Sequence, residues 1–173
     1  MDTPLLRTVQ NGDIAGCKLL MVNGADCGVR NHDNVTTTWA AAYDGHHDLL
    51  HYLLLHGNPP LSVPGGGYVS DVAGTPLCVA ITRQHFAIAE LLLSAGVMMY
   101  EEHWCWDSSL VSDLSEKSPS LHRRLTLAMS EPPSLRQIAR HYLRRHFGGQ
   151  LFTAVPLLEI PKTLHDYLLL SLE

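Results

Sequence analysis

Thr3-Pro4-Leu5, then Gly12, then Gly24-Ala25-Asp26: this spacing decides the fold, because the chain repeats it. Thr36 opens a second copy with Gly45 and Gly57-Asn58 at the same marks, 33 residues on in every case. Thr75-Pro76-Leu77 opens a third, which closes at Gly96 and is offset by 39 residues. Six residues are therefore inserted in the 59–74 segment, whose Pro-Pro and Gly-Gly-Gly runs are loop chemistry. Each copy reads as two helices. The threonine caps the first, and proline at its first position pre-sets φ. Small residues follow (Ala40-Ala41-Ala42, Val79-Ala80-Ile81), so neighbouring backbones approach closely. A glycine turn leads to a second helix with an apolar cluster, such as Leu49-Leu50 with Leu53-Leu54. Gly24, Gly57 and Gly96 are expected in the left-handed conformation that ends it. One such pair cannot bury its own apolar face, whereas stacked pairs can, which is the logic of a solenoid.

These marks resemble the ankyrin repeat: the Thr-Pro-Leu start, Gly45-His46, the leucine clusters and Gly24-Ala25-Asp26. The resemblance covers about residues 2–96. The second copy departs from it with Thr37-Thr38-Trp39, and the third carries Gln84 where the turn glycine belongs. A left-handed Gln84 costs about 1 kcal/mol. Either the first copy caps the array through Arg7, Gln10 and Asn11, or the chain is a shortened form of a longer array. The resemblance implies protein binding through loop tips and the inner helices. Trp39, Tyr43, Asp44 and Tyr68 are the candidate substrate contacts. Trp39 equally suits a gap between repeats, and Tyr68 the pinning of the glycine-rich loop.

After Gly96 the period fails. Asp107 to Leu114 reads as a degraded fourth repeat or a connector. Ser118-Pro119 starts a clearer helix with Leu121, Leu125 and Met129 at i, i+4, i+8. These helices are expected to cover the open end of the third repeat, with Trp104 and Trp106 against it.

Beyond Glu131-Pro132-Pro133 lies Ser134-Leu-Arg-Gln-Ile-Ala-Arg-His-Tyr-Leu-Arg-Arg145. Leu135, Ala139 and Leu143 form one helical stripe, widened by Ile138. Ser134 stands at the N-cap and Gly148-Gly149 at the end. Arg136, Arg140, Arg144 and Arg145 occupy the other face, a basic surface that suits phosphate binding but reads better as a solvated face on a helix whose business is its apolar side. With Leu158-Glu159-Ile160-Pro161 and Tyr167-Leu168-Leu169, the segment resembles the SOCS box. The whole is similar to the ankyrin-repeat and SOCS-box family, substrate receptors of elongin–cullin ubiquitin ligases. The fold expected is all-α: an ankyrin solenoid of three repeats over 1–96, a helical connector over 97–130, and a SOCS box over 131–173. The resemblance implies elongin C, arriving with elongin B, on Leu135, Ile138, Ala139 and Leu143. It implies a cullin of the fifth type, with its RING protein, on Leu158, Ile160 and Pro161. Ala139 replaces the family's usual cysteine, which weakens docking by ~1 kcal/mol. Glu159 replaces the first proline of the family's Leu-Pro-Leu-Pro. The alternative is an ankyrin scaffold or stoichiometric inhibitor, including a competitor for elongin B and C.

The charge is divided. Residues 1–116 hold 4 Lys+Arg against 13 Asp+Glu, a balance of −9, and residues 117–173 hold 8 against 4, a balance of +4. An acidic front half argues against a nucleic-acid ligand. No apolar run reaches a membrane-spanning length, and the N-terminus carries no signal-peptide pattern. The four cysteines show no paired spacing, which fits a reducing compartment, cytoplasmic or nuclear. The 11 histidines include His47 and His51 at i, i+4, with no placed carboxylate or cysteine to complete a metal site. No phosphate-binding loop or catalytic dyad is visible, so neither an enzyme nor a cofactor is expected.

Overall fold

The three threonines cap their helices. Thr3 Oγ1 accepts from the Leu6 N–H at 3.1 Å, Thr36 from Trp39 at 3.2 Å and Thr75 from Cys78 at 3.3 Å. They start α1 (Pro4–Gln10), α3 (Thr37–Asp44) and α5 (Pro76–Thr82). Each is paired with an outer helix: α2 (Ile14–Val22), α4 (His47–His56) and α6 (Phe86–Ala95). The computed structural model describes residues 3–66, 74–99, 102, 108–147, 154–158 and 160–169. Tyr68, Trp104, Trp106, Gly148-Gly149 and Glu159 lie outside the described residues, so the roles expected of them are not addressed by the structure.

The inner helices stack α1 on α3 on α5, and α4 packs on α6. Ala41, Ala42, Val79 and Ala80 are fully buried between them, the close approach that small side chains allow. Leu49, Leu50, Leu53 and Leu54 fill the layer between inner and outer helices. Burying each contributes about 1.5–3 kcal/mol over leaving it in water.

The turns lock neighbouring repeats together. Gly12 (φ 68°) and Gly45 (φ 81°) are left-handed. A Cβ on Gly12 would come within 2.8 Å of the His46 ring, and one on Gly45 within 2.7 Å of His85. The histidines opening α4 and α6 thus pack on the turn glycine of the preceding repeat, and His46 Nε2 also lies 3.1 Å from the Gln10 carbonyl. Gln84 does adopt φ 63°, the strained conformation expected of it. Gly57 does not: its φ is −113°. The left-handed residue is Asn58 (φ 46°). Gly57 is needed for space, since a Cβ there would lie 2.5 Å from Cys27 Sγ.

The 59–74 insertion is closed at its neck by an antiparallel bridge between Gly65 and Gly74. Trp39 holds that neck from inside, its indole N–H donating to the Gly74 carbonyl at 3.0 Å.

α7 (Ser108–Lys117) and α8 (Pro119–Ser130) pack on each other, and α8 packs on α6. Leu114, Leu121 and Leu125 are buried in the core they share with the repeats, so α8 covers the open end of the third repeat as expected. Arg124 fixes the register, donating to Ser94 Oγ at 2.9 Å. The chain then turns at Glu131, whose backbone is extended. It continues into α9 (Leu135–Phe147), a short 3-10 turn (Val155–Leu157) and α10 (Lys162–Leu169). Among the described residues there is no strand, and no helix is long and apolar enough to cross a membrane.

Candidate protein-docking site

The start of α9 is fixed by reciprocal capping. Ser134 Oγ accepts from the Gln137 N–H at 3.3 Å, while Gln137 Oε1 accepts from the Ser134 N–H at 2.7 Å. What sets the helix's rotation is a correction to the sequence reading. Arg140 and Arg144 are not solvated; each is 7% exposed. Arg140 Nη2 donates to the carbonyls of Ala95 at 2.7 Å and Ser94 at 3.2 Å, at the end of α6. Arg144 Nη2 donates to Leu54 at 3.3 Å, near the end of α4. Carbonyls at a helix C-terminus have no partner within the helix and carry the negative end of its dipole, so a guanidinium suits them. Gly96 makes room, since a Cβ there would lie 2.3 Å from Arg140 Nη2. On the other side Arg140 Nη1 reaches the Tyr167 carbonyl at 3.5 Å and Arg144 Nη1 the Leu168 carbonyl at 3.4 Å. Asn58 completes the junction, donating to the Arg144 carbonyl at 2.9 Å. Burial pushes both guanidiniums down, Arg144 to about 10 with the neighbouring Arg140 charge adding to it. Both remain charged at neutral pH.

With the arginines turned inward, the opposite stripe turns out. Leu135 is 86% exposed, Tyr142 64% and Ile138 45%, and Ala139 lies exposed among them. A short helix that keeps large apolar groups in water has an unpartnered face. Leu143 is not part of it. It packs with Ile160 and Leu169 against Val155 and Leu168, the small core that joins α9 to α10. Arg136 lies over the Tyr167 ring at 3.9 Å. Among the expected cullin contacts, Leu158 and Pro161 are exposed, while Ile160 is half-buried in that same core. His165 Nε2 sits 3.1 Å from the Leu158 carbonyl and holds this segment on α10.

The expected substrate contacts divide. Trp39 is 4% exposed and serves the packing of the loop neck, so it has no surface to offer a partner. Tyr43 stacks on it with centroids 5.0 Å apart and carries Arg83 on its other face at 4.0 Å. Asp44 is exposed beside them. Burial pushes its carboxyl up, against the lowering pull of His46, Arg83 and His85. Arg83 and His85 were not singled out from the sequence; the 39-residue offset from His46 was the signal for His85. No group of three or more histidine, cysteine, aspartate or glutamate side chains that could hold a metal ion exists among the described residues.

Two family models match the chain: Ankyrin repeats (3 copies) over residues 5–101 and SOCS box over residues 131–169. Ankyrin repeat and SOCS box protein 5 of Mus musculus is 28% identical, over 76% of this chain and 47% of its own length. The chain thus spans about half the length of that relative. Among solved structures, a chain from the complex of the Bd0816 predatory endopeptidase of Bdellovibrio bacteriovorus with immunity protein Bd3460 is similar, with a TM-score of 0.56 and 21% identity. It covers 72% of this chain and 62% of its own, a likeness of fold alone. With helix-pair repeats stacked over most of its length and a helical box behind them, the chain belongs to the ankyrin-repeat and SOCS-box family.

Proposed function

We propose that the chain is a non-catalytic substrate receptor of an elongin B/C–cullin ubiquitin ligase. The single observation carrying this is the outward face of α9. Leu135, Ile138, Ala139 and Tyr142 stand in water on a helix whose opposite face is anchored by Arg140 and Arg144. A helix held so firmly from behind is preorganised to insert an apolar stripe into a partner's groove. The partner is elongin C, with Leu135 as anchor and elongin B accompanying it. Leu143 supports the face from the box core instead of entering the partner. The exposed Leu158 and Pro161 are the contacts for a cullin of the fifth type with its RING protein. Ile160 positions them. The repeats hold a target protein, with Tyr43 and Asp44 offered on the inner surface, and the ligase gains rate by bringing that target to the ubiquitin donor. Ubiquitination and degradation of the target follow.

The test is reconstitution. Elongin B and C are expected to co-purify with the chain in equal amounts, and the complex to recruit the cullin. The double change Leu158→Ala and Pro161→Ala is expected to lose the cullin and keep the elongins. Ile160→Ala is a poor substitute, because it opens the box core. If the unmutated chain binds elongins but recruits no cullin under any condition, the receptor reading falls and the chain acts as a competitor for elongin B and C.

A further inference from the structure

Three sulfurs meet in the outer layer of the first repeat. Cys17 and Met21 stand one turn apart on α2, at i and i+4, and so share a face of the helix. Cys27, in the turn that follows, brings its thiol to the Met21 thioether, Sγ donating to Sδ at 3.0 Å. Gly57, at the end of α4, leaves both side chains room: a Cβ there would lie 2.5 Å from Cys27 Sγ and 2.8 Å from Met21 Cε. Cys17 and Cys27 are buried, and neither is in a disulfide. Met21 is half-buried, so the cluster has a side that reaches solvent. Burial raises both thiols, and the charge of Cys17 adds to the rise at Cys27. The Tyr52 hydroxyl, on α4, is raised by burial and then by both cysteines, so the two thiols and this ring share one small volume. Two thiolates this close in a dry layer repel, and a cation between them removes the repulsion.

We infer that Cys17, Met21 and Cys27 form a binding site for a soft monovalent metal ion, copper(I). Thiolate and thioether sulfur together select this ion over harder ones, which want imidazole or carboxylate ligands as well. The ion displaces the two thiol protons, which pass to solvent, and takes two thiolates and one thioether as its ligands. Metal–sulfur bonds of about 2.3 Å spread the sulfurs beyond their spacing in the empty site. The Met21 side chain, with three rotatable bonds, swings to allow it. Occupancy ties the turn after α2 to the helix itself and so stiffens the first loop tip of the array.

The experiment uses the full chain, reduced and free of oxygen. Copper(I) is supplied as its coloured complex with bicinchoninate, and the loss of colour reads transfer to the protein. The chain is expected to take one ion from the chelator, with thiolate-to-copper absorption in the ultraviolet and a raised melting temperature. About two protons are expected to be released per ion, because both thiols start protonated. An equal amount of zinc(II) is expected not to displace the copper. Met21→Leu conserves volume, so it is expected to keep the melting temperature of the metal-free chain while weakening copper(I) binding by about tenfold or more. Cys27→Ala is expected to abolish the absorption, and Cys78→Ala, at a buried thiol elsewhere, to leave it unchanged. The inference is overturned if the chain takes no copper(I) from bicinchoninate, or if Met21→Leu binds it as tightly as the unmutated chain. It is equally overturned if Cys27→Ala keeps the ion and the absorption, the mark of adventitious binding by other thiols and histidines.

Discussion

Arg144→Met separates an arginine that builds the domain junction from one that merely lies on it. Methionine keeps most of the stem's packing and removes the charge and its donors. Two bonds go, to the Leu54 carbonyl at 3.3 Å and the Leu168 carbonyl at 3.4 Å. Bonds from a charged donor contribute about 1.5–3 kcal/mol each, and these lengths put both at the low end, ~3 kcal/mol together. Against this, a cation no longer has to be buried beside Arg140, which returns ~1 kcal/mol. The net loss, ~2 kcal/mol, is local to the junction and corresponds to about 30-fold in an opening equilibrium. Hydrogen exchange read by mass spectrometry is the suitable assay. Amides of α9 and α10 are expected to exchange about 30-fold faster, with α1 and α2 unchanged and Arg144→Lys in between. If α9 keeps its protection within about twofold, the guanidinium is not anchored as described and the solvated reading of that face was right.

Other changes test the repeats themselves. Gln84→Gly is expected to stabilise the chain by about 1 kcal/mol, because Gln84 holds φ 63° and glycine does not pay for it; a melting temperature that falls contradicts this. Burial, with the neighbouring Cys17 and Asp26 adding to it, pushes the Cys27 thiol up to about 12, and burial raises Cys17 and Cys78 as well. Since only the thiolate reacts, iodoacetamide at mildly alkaline pH is expected to leave these three unmodified in the folded chain. Labelling of Cys27 at the rate seen in urea would show that the outer layer of the repeats opens freely.

What the sequence disclosed was local. A cap needs only its own threonine and the next few residues, so Thr3, Thr36 and Thr75 were legible, as were Gly12, Gly45 and the strain at Gln84. The stripe of Leu121 and Leu125 likewise announced its burial through its own periodicity. The misreadings concern groups whose partners are distant in the chain. Gly57 was assigned a conformation when what it meets is Cys27. Trp39 was left open between a partner contact and a packing role, because the partner that decides for packing, the Gly74 carbonyl, arrives only when the inserted loop closes. Arg140 and Arg144 looked like a wet face because nothing near them in sequence says that the ends of α4 and α6 will present carbonyls to them. Leu143 shares the stripe of Leu135 by spacing, yet α10 claims it. In each case the rule for the residue type was sound and the tertiary partner decided the outcome.

The central claim is that the outward stripe of α9 is a docking face for elongin C. The most direct measurement is the affinity of the elongin B–elongin C pair for the Leu135→Asp chain, beside Leu127→Asp as control. Leu127 is also an exposed apolar residue, but it lies on α8, off the face. Leu135→Asp is expected to abolish binding without lowering the melting temperature, while Leu127→Asp binds like the unmutated chain. Undiminished elongin binding by Leu135→Asp would contradict the account.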